Sequence, residues 1–259
     1  MVLAYVPLAL FAQAEDKAYM TCTYSAFFIS NPEKPKVHDD EMILAIGKDY
    51  SRFYSVWEDS IEHVRNRIFS AGGSLNEASI AIKGIPRSYQ FYSVEKFFSK
   101  KKLFFLNRFL INMYRYEEPM KSPEWEIEPV RGTVAGYNCQ KAKARFRGRD
   151  WSVWFTPEIP VSDGPWKLWG LPGLILKAED AEKQYVFECI EIRQYDPPVP
   201  IHKCIDKKIV KCSISEYKKM EKECSIDFSN QVFREHGYRE PPIPGQKPTK
   251  RPYNPIDRE

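Results

Sequence analysis

The sequence predicts a mainly β (α+β) protein built on a strongly curved antiparallel sheet, an open half-barrel or bowl, with one or two helices. Three observations carry that expectation. Aromatic residues make up 14% of the 259 residues, with 15 Tyr, 16 Phe and 6 Trp, and such side chains pack well on a pleated surface. Residues 137–146 alternate, with Cys139, Lys141, Lys143 and Arg145 on one face and Ala142, Ala144 and Phe146 on the other. One wet face is the habit of antiparallel sheets. No strand–helix–strand alternation occurs, which argues against a doubly wound parallel sheet.

Taken in order, residues 18–30 are rich in Tyr, Phe and Thr and read as a first strand. Residues 31–40 carry two prolines and several charges and read as a loop. Residues 42–46 and 51–57 form a hairpin around Gly47-Lys48-Asp49. From Glu58 the period changes: Ile61, Val64 and Ile68 mark a helix face, ended by Gly72-Gly73. Further strands are expected at 80–82, 89–97, 102–106, 109–116, 134–146, 151–155, 174–178, 185–193 and 208–210, with Lys100-Lys101-Lys102 as a solvated turn. A Ser213-x-x-Glu216 capping box opens a helix over 213–224, which residues 227–235 extend or follow with a second. Six prolines fall within 241–255, an extended tail that is docked or disordered. The division is therefore a single domain over 15–240 and a proline-rich tail over 241–259.

Residues 2–11 are apolar and Ala12-Gln13-Ala14 has the small-x-small pattern of a cleavage site, so residues 1–14 read as an export signal without a basic start. That run is too short to span a bilayer, and no other approaches about 20 apolar residues, so no transmembrane span is expected. The expected location is secreted or periplasmic. An oxidising compartment makes Cys22, Cys139, Cys189, Cys204, Cys212 and Cys224 disulfide candidates. Six cysteines allow 15 pairings. Four of them lie between 189 and 224, so a pinned C-terminal segment is expected. A net charge of +4, from 39 basic and 35 acidic residues, offers no concentrated basic face for nucleic acid. His38, His63, His202 and His236 lack ligand spacing and no CxxC occurs, so neither a metal nor a cofactor is implied.

The most distinctive stretch runs from Gly164 to Ile175, GPWKLWGLPGLI, apolar yet broken by three glycines and two prolines. It demands a fixed corner. Pro172-Gly173 suits a type II turn, and Ile159-Pro160 and Gly164-Pro165 are bends where a cis bond fits. Trp151, Trp154, Trp166, Trp169 and Leu171 read either as the fastening of a curved sheet or as the wall of a groove for a lipid, glycan or peptide. Arg147, Arg149, Asp150, Glu158 and the nearby Asp163 read as an ion-pair cluster, with paired carboxylates for hydrolysis as the alternative.

With Tyr137-x-Cys139-x-Lys141-Ala142, the 154–160 run WFTPEIP, the 42–55 segment and the ending Tyr253-Asn254-Pro255-Ile256-Asp257, this stretch resembles the GLPGLI family of exported Bacteroidetes proteins. The resemblance implies a β-rich domain with a curved antiparallel sheet, and by a further analogy an envelope carrier holding acyl chains in a half-barrel. It brings no activity and no catalytic residue, and fold analogy does not transfer function. Three functions are expected from the residues: a non-enzymatic exported domain binding a hydrophobic ligand or an envelope partner (lipid, glycan or protein), a hydrolase using Asp150 and Glu158, and a scaffold docking through its proline-rich tail.

Overall fold

A computed structural model describes residues 16–88, 91–109, 112–201, 209–226 and 253–259. Twelve strands form one open sheet: β1 (Lys17–Ile29), β2 (Val37–Gly47), β3 (Tyr50–Ser55), β4 (Tyr92–Phe97), β5 (Lys102–Phe109), β6 (Asn112–Pro119), β7 (Glu126–Val134), β8 (Tyr137–Phe146), β9 (Arg149–Thr156), β10 (Leu174–Asp180), β11 (Tyr185–Pro200) and β12 (Ile209–Lys211). Their spatial order is β12-β6-β5-β4-β3-β2-β1-β11-β10-β9-β8-β7. Two antiparallel meanders, β1 to β6 and β7 to β11, are thus joined by the long β1–β11 ladder, in which Tyr24 faces Cys189 and Ala26 faces Phe187. Among the described strands only β12 pairs parallel, on β6.

The sheet curls strongly. Strands β6 and β8 stand nine places apart, about 43 Å in a flat sheet at a strand spacing of about 4.8 Å. Yet Arg147, in the turn after β8, reaches Glu118 of β6 at 2.6 Å. The inward set alternates along each strand, as Met20, Cys22, Tyr24, Ala26 and Phe28 do along β1, and all are buried. A smaller apolar cluster of Ala18, Ala45, Tyr50 and Ile201 lies on the outer face.

Among the described residues three helices accompany the sheet, one more than the upper expectation. Helix α1 (Val56–Ser70) begins where Ser55 caps it, accepting from Glu58 N, and ends at Gly72 with φ of 81°. It lies on the outer face, where Asp59 pairs with Arg52 at 2.9 Å. Helix α3 (Ile214–Ile226) lies on the inner side, with Tyr217 packed on Phe105 and Tyr116. Helix α2 (Leu75–Ala81) replaces the strand expected at 80–82. Its own capping box, Ser74 with Glu77, was the local signal for a helix there. Strand β7 and the first residues of β2 were also unforeseen. The Lys100-Lys101-Lys102 run forms the β4–β5 turn with Lys101 at φ 50°. The cis proline bond among the described residues is Asp196-Pro197, on neither of the two bends expected to suit one. The export signal over 1–14 lies outside the described residues, as do 241–252 of the tail.

Candidate functional site

The segment between β9 and β10, residues 157–173, folds back into the bowl. Trp166, Lys167 and Leu168 are almost wholly buried, at 0%, 1% and 0% exposure. Trp166 packs against Trp151 at 5.6 Å and Phe146 at 5.9 Å. Lys167 Nζ meets Glu118 of β6 at 2.6 Å, Tyr116 Oη at 3.0 Å and Asp257 at 2.9 Å. Lys96 of β4 reaches Asp163 at 2.5 Å and donates to the Gly164 carbonyl at 2.8 Å, with both charged side chains wholly buried. Burial depresses the Lys96 ammonium below its ordinary pKa, partly opposed by Asp163. Among the described residues, Asp163 Oδ2 and Trp166 Nε1 find no protein partner in this packed corner.

Close approach explains the glycines. A Cβ on Gly164 would lie 2.8 Å from Ile175 Cβ and 3.0 Å from the Leu168 carbonyl oxygen. One on Gly173 would overlap the Thr156 carbonyl. Positive φ falls on Trp166 (52°) and Gly170 (99°), not on Gly173, so the type II turn expected at Pro172-Gly173 does not form.

The five groove-wall candidates separate. Trp151, Trp166 and Leu171 are buried in the core, at 1%, 0% and 2% exposure. Trp154 lies against Gly132, with the Lys141 ammonium 5.9 Å from its ring centre. Trp169 sits at the rim, edge-on to Phe98 at 6.4 Å, while its carbonyl accepts from Trp125 Nε1 at 2.8 Å. Three of the five are thus buried in the core, while Trp154 and Trp169 are only partly covered.

The charged cluster separates likewise. Arg147 pairs with Glu118. Arg149, with its side chain fully buried, pairs with Asp180 at 2.7 Å and donates to the carbonyls of Ile256 and Pro255 and to Asn254. Asp150 pairs with Arg145 at 3.1 Å in the open, and Glu158 accepts from Asn138 N at 3.0 Å. Asp150 lies near the start of β9 and Glu158 two residues past its end, and the extended strand from Asp150 to Thr156 alone spans roughly 20 Å at about 3.3 Å per residue. Glycosidase carboxylates stand about 5–10 Å apart, so these two share no acid–base site.

The final residues belong to the fold. Tyr185 Oη donates to the Asn254 carbonyl at 2.6 Å, Asn254 donates to Ile29 O at 2.6 Å, and Lys218 holds Asp257 at 2.8 Å. Burial alone would raise the Asp257 pKa; Lys167 and Lys218 together hold it below the carboxylate range.

Among the described residues no disulfide of the expected frame is seen. Cys22, Cys139, Cys189 and Cys212 are thiols. Cys22 faces Ile192 across the β1–β11 ladder rather than another cysteine, and Cys139 is buried instead of lying on the wet face of β8. Burial pushes the Cys22 thiol well up, and that of Cys189 to about 12. Cys204 lies outside the described residues.

A second arrangement escaped the sequence reading. On the outer side, α1, α2, the 82–88 loop and β5 enclose a cleft of about 730 Å³. Glu58, Ile61 and Arg65 of α1 face it, with Ser79, Ile82, Lys83, Ile85, Arg87, Ser88, Phe91 and Arg108 around the rest. Arg108 bonds Glu58 at 3.0 Å and also Glu62. Burial lifts the Glu58 pKa to about 7 against the pull of Arg108, with Glu62 adding to the rise. Behind it, buried Asp40 accepts from Ser55 Oγ at 2.9 Å and Ser88 Oγ at 2.6 Å. The i, i+3, i+7 spacing of 58, 61 and 65 was the available signal.

Residues 147–177 match a Bacteroidetes-associated family described as a protein of unknown function (Porph_ging). That match, and not the GLPGLI family by name, is what the comparison supports. No curated protein matches the sequence. Solved structures of PNGF-II are similar in fold, with TM-scores of 0.51 in the P21 crystal form and 0.52 in the C2 form, each at 16% identity. The likeness covers 77% of this chain and 32% of that one, so the chain spans about a third of the PNGF-II length. At that identity it speaks to the fold alone.

Proposed function

We propose that the protein is an exported, non-enzymatic envelope domain of the GLPGLI type that binds its ligand or partner on the outside of the bowl. One observation carries this reading: among the described residues the concave side is filled by the chain's own 157–173 and 253–259 segments. Trp166, Lys167 and Leu168 occupy the space an acyl chain would need. That argues against a carrier of the half-barrel kind and leaves the outer surface for recognition. The separation of Asp150 from Glu158 removes the support for hydrolysis by that pair. Docking of 253–259 onto Arg149 argues against those residues serving as a free arm for a partner.

The test is expression of the full chain in a Gram-negative host, followed by fractionation and intact-mass measurement. A mature chain beginning at Glu15 in the envelope or medium supports export, and an unprocessed cytoplasmic chain contradicts it. Native mass spectrometry of the envelope-purified protein then reads the binding claim. A bound lipid, glycan or protein supports it, and the bare chain alone counts against it.

A further inference from the structure

We propose that the outer cleft between α1, α2 and β5 binds an organic anion with an apolar body, a carboxylate or phosphate carried on an acyl or aryl group. It rests on the outer-surface reading above but fails separately from it, since its test needs neither export nor an envelope partner.

Shape comes first. A cleft of about 730 Å³ is the size of small-molecule sites, which run from about 300 to 1,000 Å³. Its lining divides by chemistry. Ile61, Ile82, Ile85 and Phe91 supply an apolar surface, and Phe91 is 44% exposed although it is a large aromatic. Arg65, Lys83, Arg87 and Arg108 supply four cations against the single lining carboxylate of Glu58.

The cations are not equivalent. Arg108 is held by Glu58 and Glu62, so its charge is spent within the protein. Arg65, Lys83 and Arg87 enter no salt bridge among the described residues; Arg65 also attracts the Glu58 carboxyl, and the charges of Lys83 and Arg87 are left for a ligand. The three come from two separate elements, α1 and the 82–88 loop, and converge on one concavity. A cleft whose lining charges are predominantly of one sign, between low-dielectric walls, focuses its field, unlike isolated cations on an open surface. Arg65 and Arg87 can each grip a carboxylate or phosphate with two parallel N–H donors, while the isoleucines and Phe91 cover the attached chain or ring.

The ligand chemistry has two sources, a free amphiphile and an anionic lipid in a bilayer. A volume of about 730 Å³, the size of a small-molecule site, favours the free molecule. The test is calorimetric titration of the purified full chain with decanoate, decyl phosphate and neutral decanol. At least one anion is expected to bind ten times or more tightly than decanol. The double variant Arg65→Gln/Arg87→Gln should weaken that binding at least tenfold, with circular dichroism and melting temperature unchanged. Equal binding of anion and alcohol, an unaffected double variant, or no anion binding at millimolar concentration each overturns the proposal. Flotation with phosphatidylglycerol vesicles is the second arm. No association is expected. Vesicle binding that the double variant abolishes, without binding of the free anions, assigns the charges to a membrane surface and overturns the proposal as well.

Discussion

Lys167 and Glu118 meet at 2.6 Å inside the bowl, both about 98–99% buried, and join the 157–173 segment to the far meander. With Asp257 at 2.9 Å, one ammonium bridges two carboxylates, and the Arg147 guanidinium supplies the second cation on Glu118. Removing the shared ammonium takes a hydrogen-bonded cation from two buried carboxylates at once, leaving Glu118 to Arg147 and Asp257 to Lys218, which costs far more than one exposed pair contributes. The Lys167→Met variant is therefore expected to lose about 3–5 kcal/mol. In a chain of this size that is a fall of roughly 10 °C in melting temperature. Calorimetry checks it, and a variant melting within a degree or two of the parent contradicts the assignment.

Arg149 anchors the last residues through two carbonyls and an amide that a lysine ammonium cannot match in fork geometry. Arg149→Lys should release residues 253–259. Limited proteolysis read by intact mass should then show trimming of the C-terminus at protease levels that leave the parent whole, with roughly 2–3 kcal/mol lost in urea denaturation.

Close packing makes the glycines of the corner unequal to those elsewhere. Gly173→Ala drives a Cβ into the Thr156 backbone, which a side-chain rotation cannot relieve. It should cost about 3 kcal/mol or more. Gly84→Ala has open space around it and should change stability by no more than about 0.5 kcal/mol. Matched denaturation curves of the two variants decide the point.

Glu58 gives a pH signature. Its folded pKa, about 7, lies above its unfolded value near 4.5, so the folded state binds the proton more tightly. Its contribution to stability is fully present below about pH 4.5 and is lost as pH rises through about 7. That difference corresponds to roughly 3 kcal/mol at most. Glu58→Gln, which keeps the neutral form at every pH, should thus change stability little near pH 5 and be clearly stabilising relative to the parent at pH 8. Denaturation at both values tests it; an equal effect at both contradicts it.

Much of the fold was legible, because alternation and breakers act locally. The hairpin at Gly47-Lys48-Asp49, the α1 face and the α3 capping box all stand where their residues place them. Strand β7 was not, since its residues are mostly exposed and Pro129 interrupts it. The site was less legible still. Arg149 and Asp150 are neighbours in sequence, yet one is buried under the C-terminus and the other faces solvent, because adjacent strand residues point to opposite faces. The outer cleft depends on α1 and β5 meeting through Arg108, a contact that no spacing along the chain announces.

Amide hydrogen exchange over residues 159–176 reads the central claim most directly. If this segment is the packed interior of the bowl, its backbone donors, such as Leu174 N to Ile159 O and Ile175 N to Asp163 O, should exchange only through global unfolding, as slowly as β1 and β11. Exchange by local opening, fast while β1 and β11 stay protected, would make the segment a lid over a cavity and contradict the account.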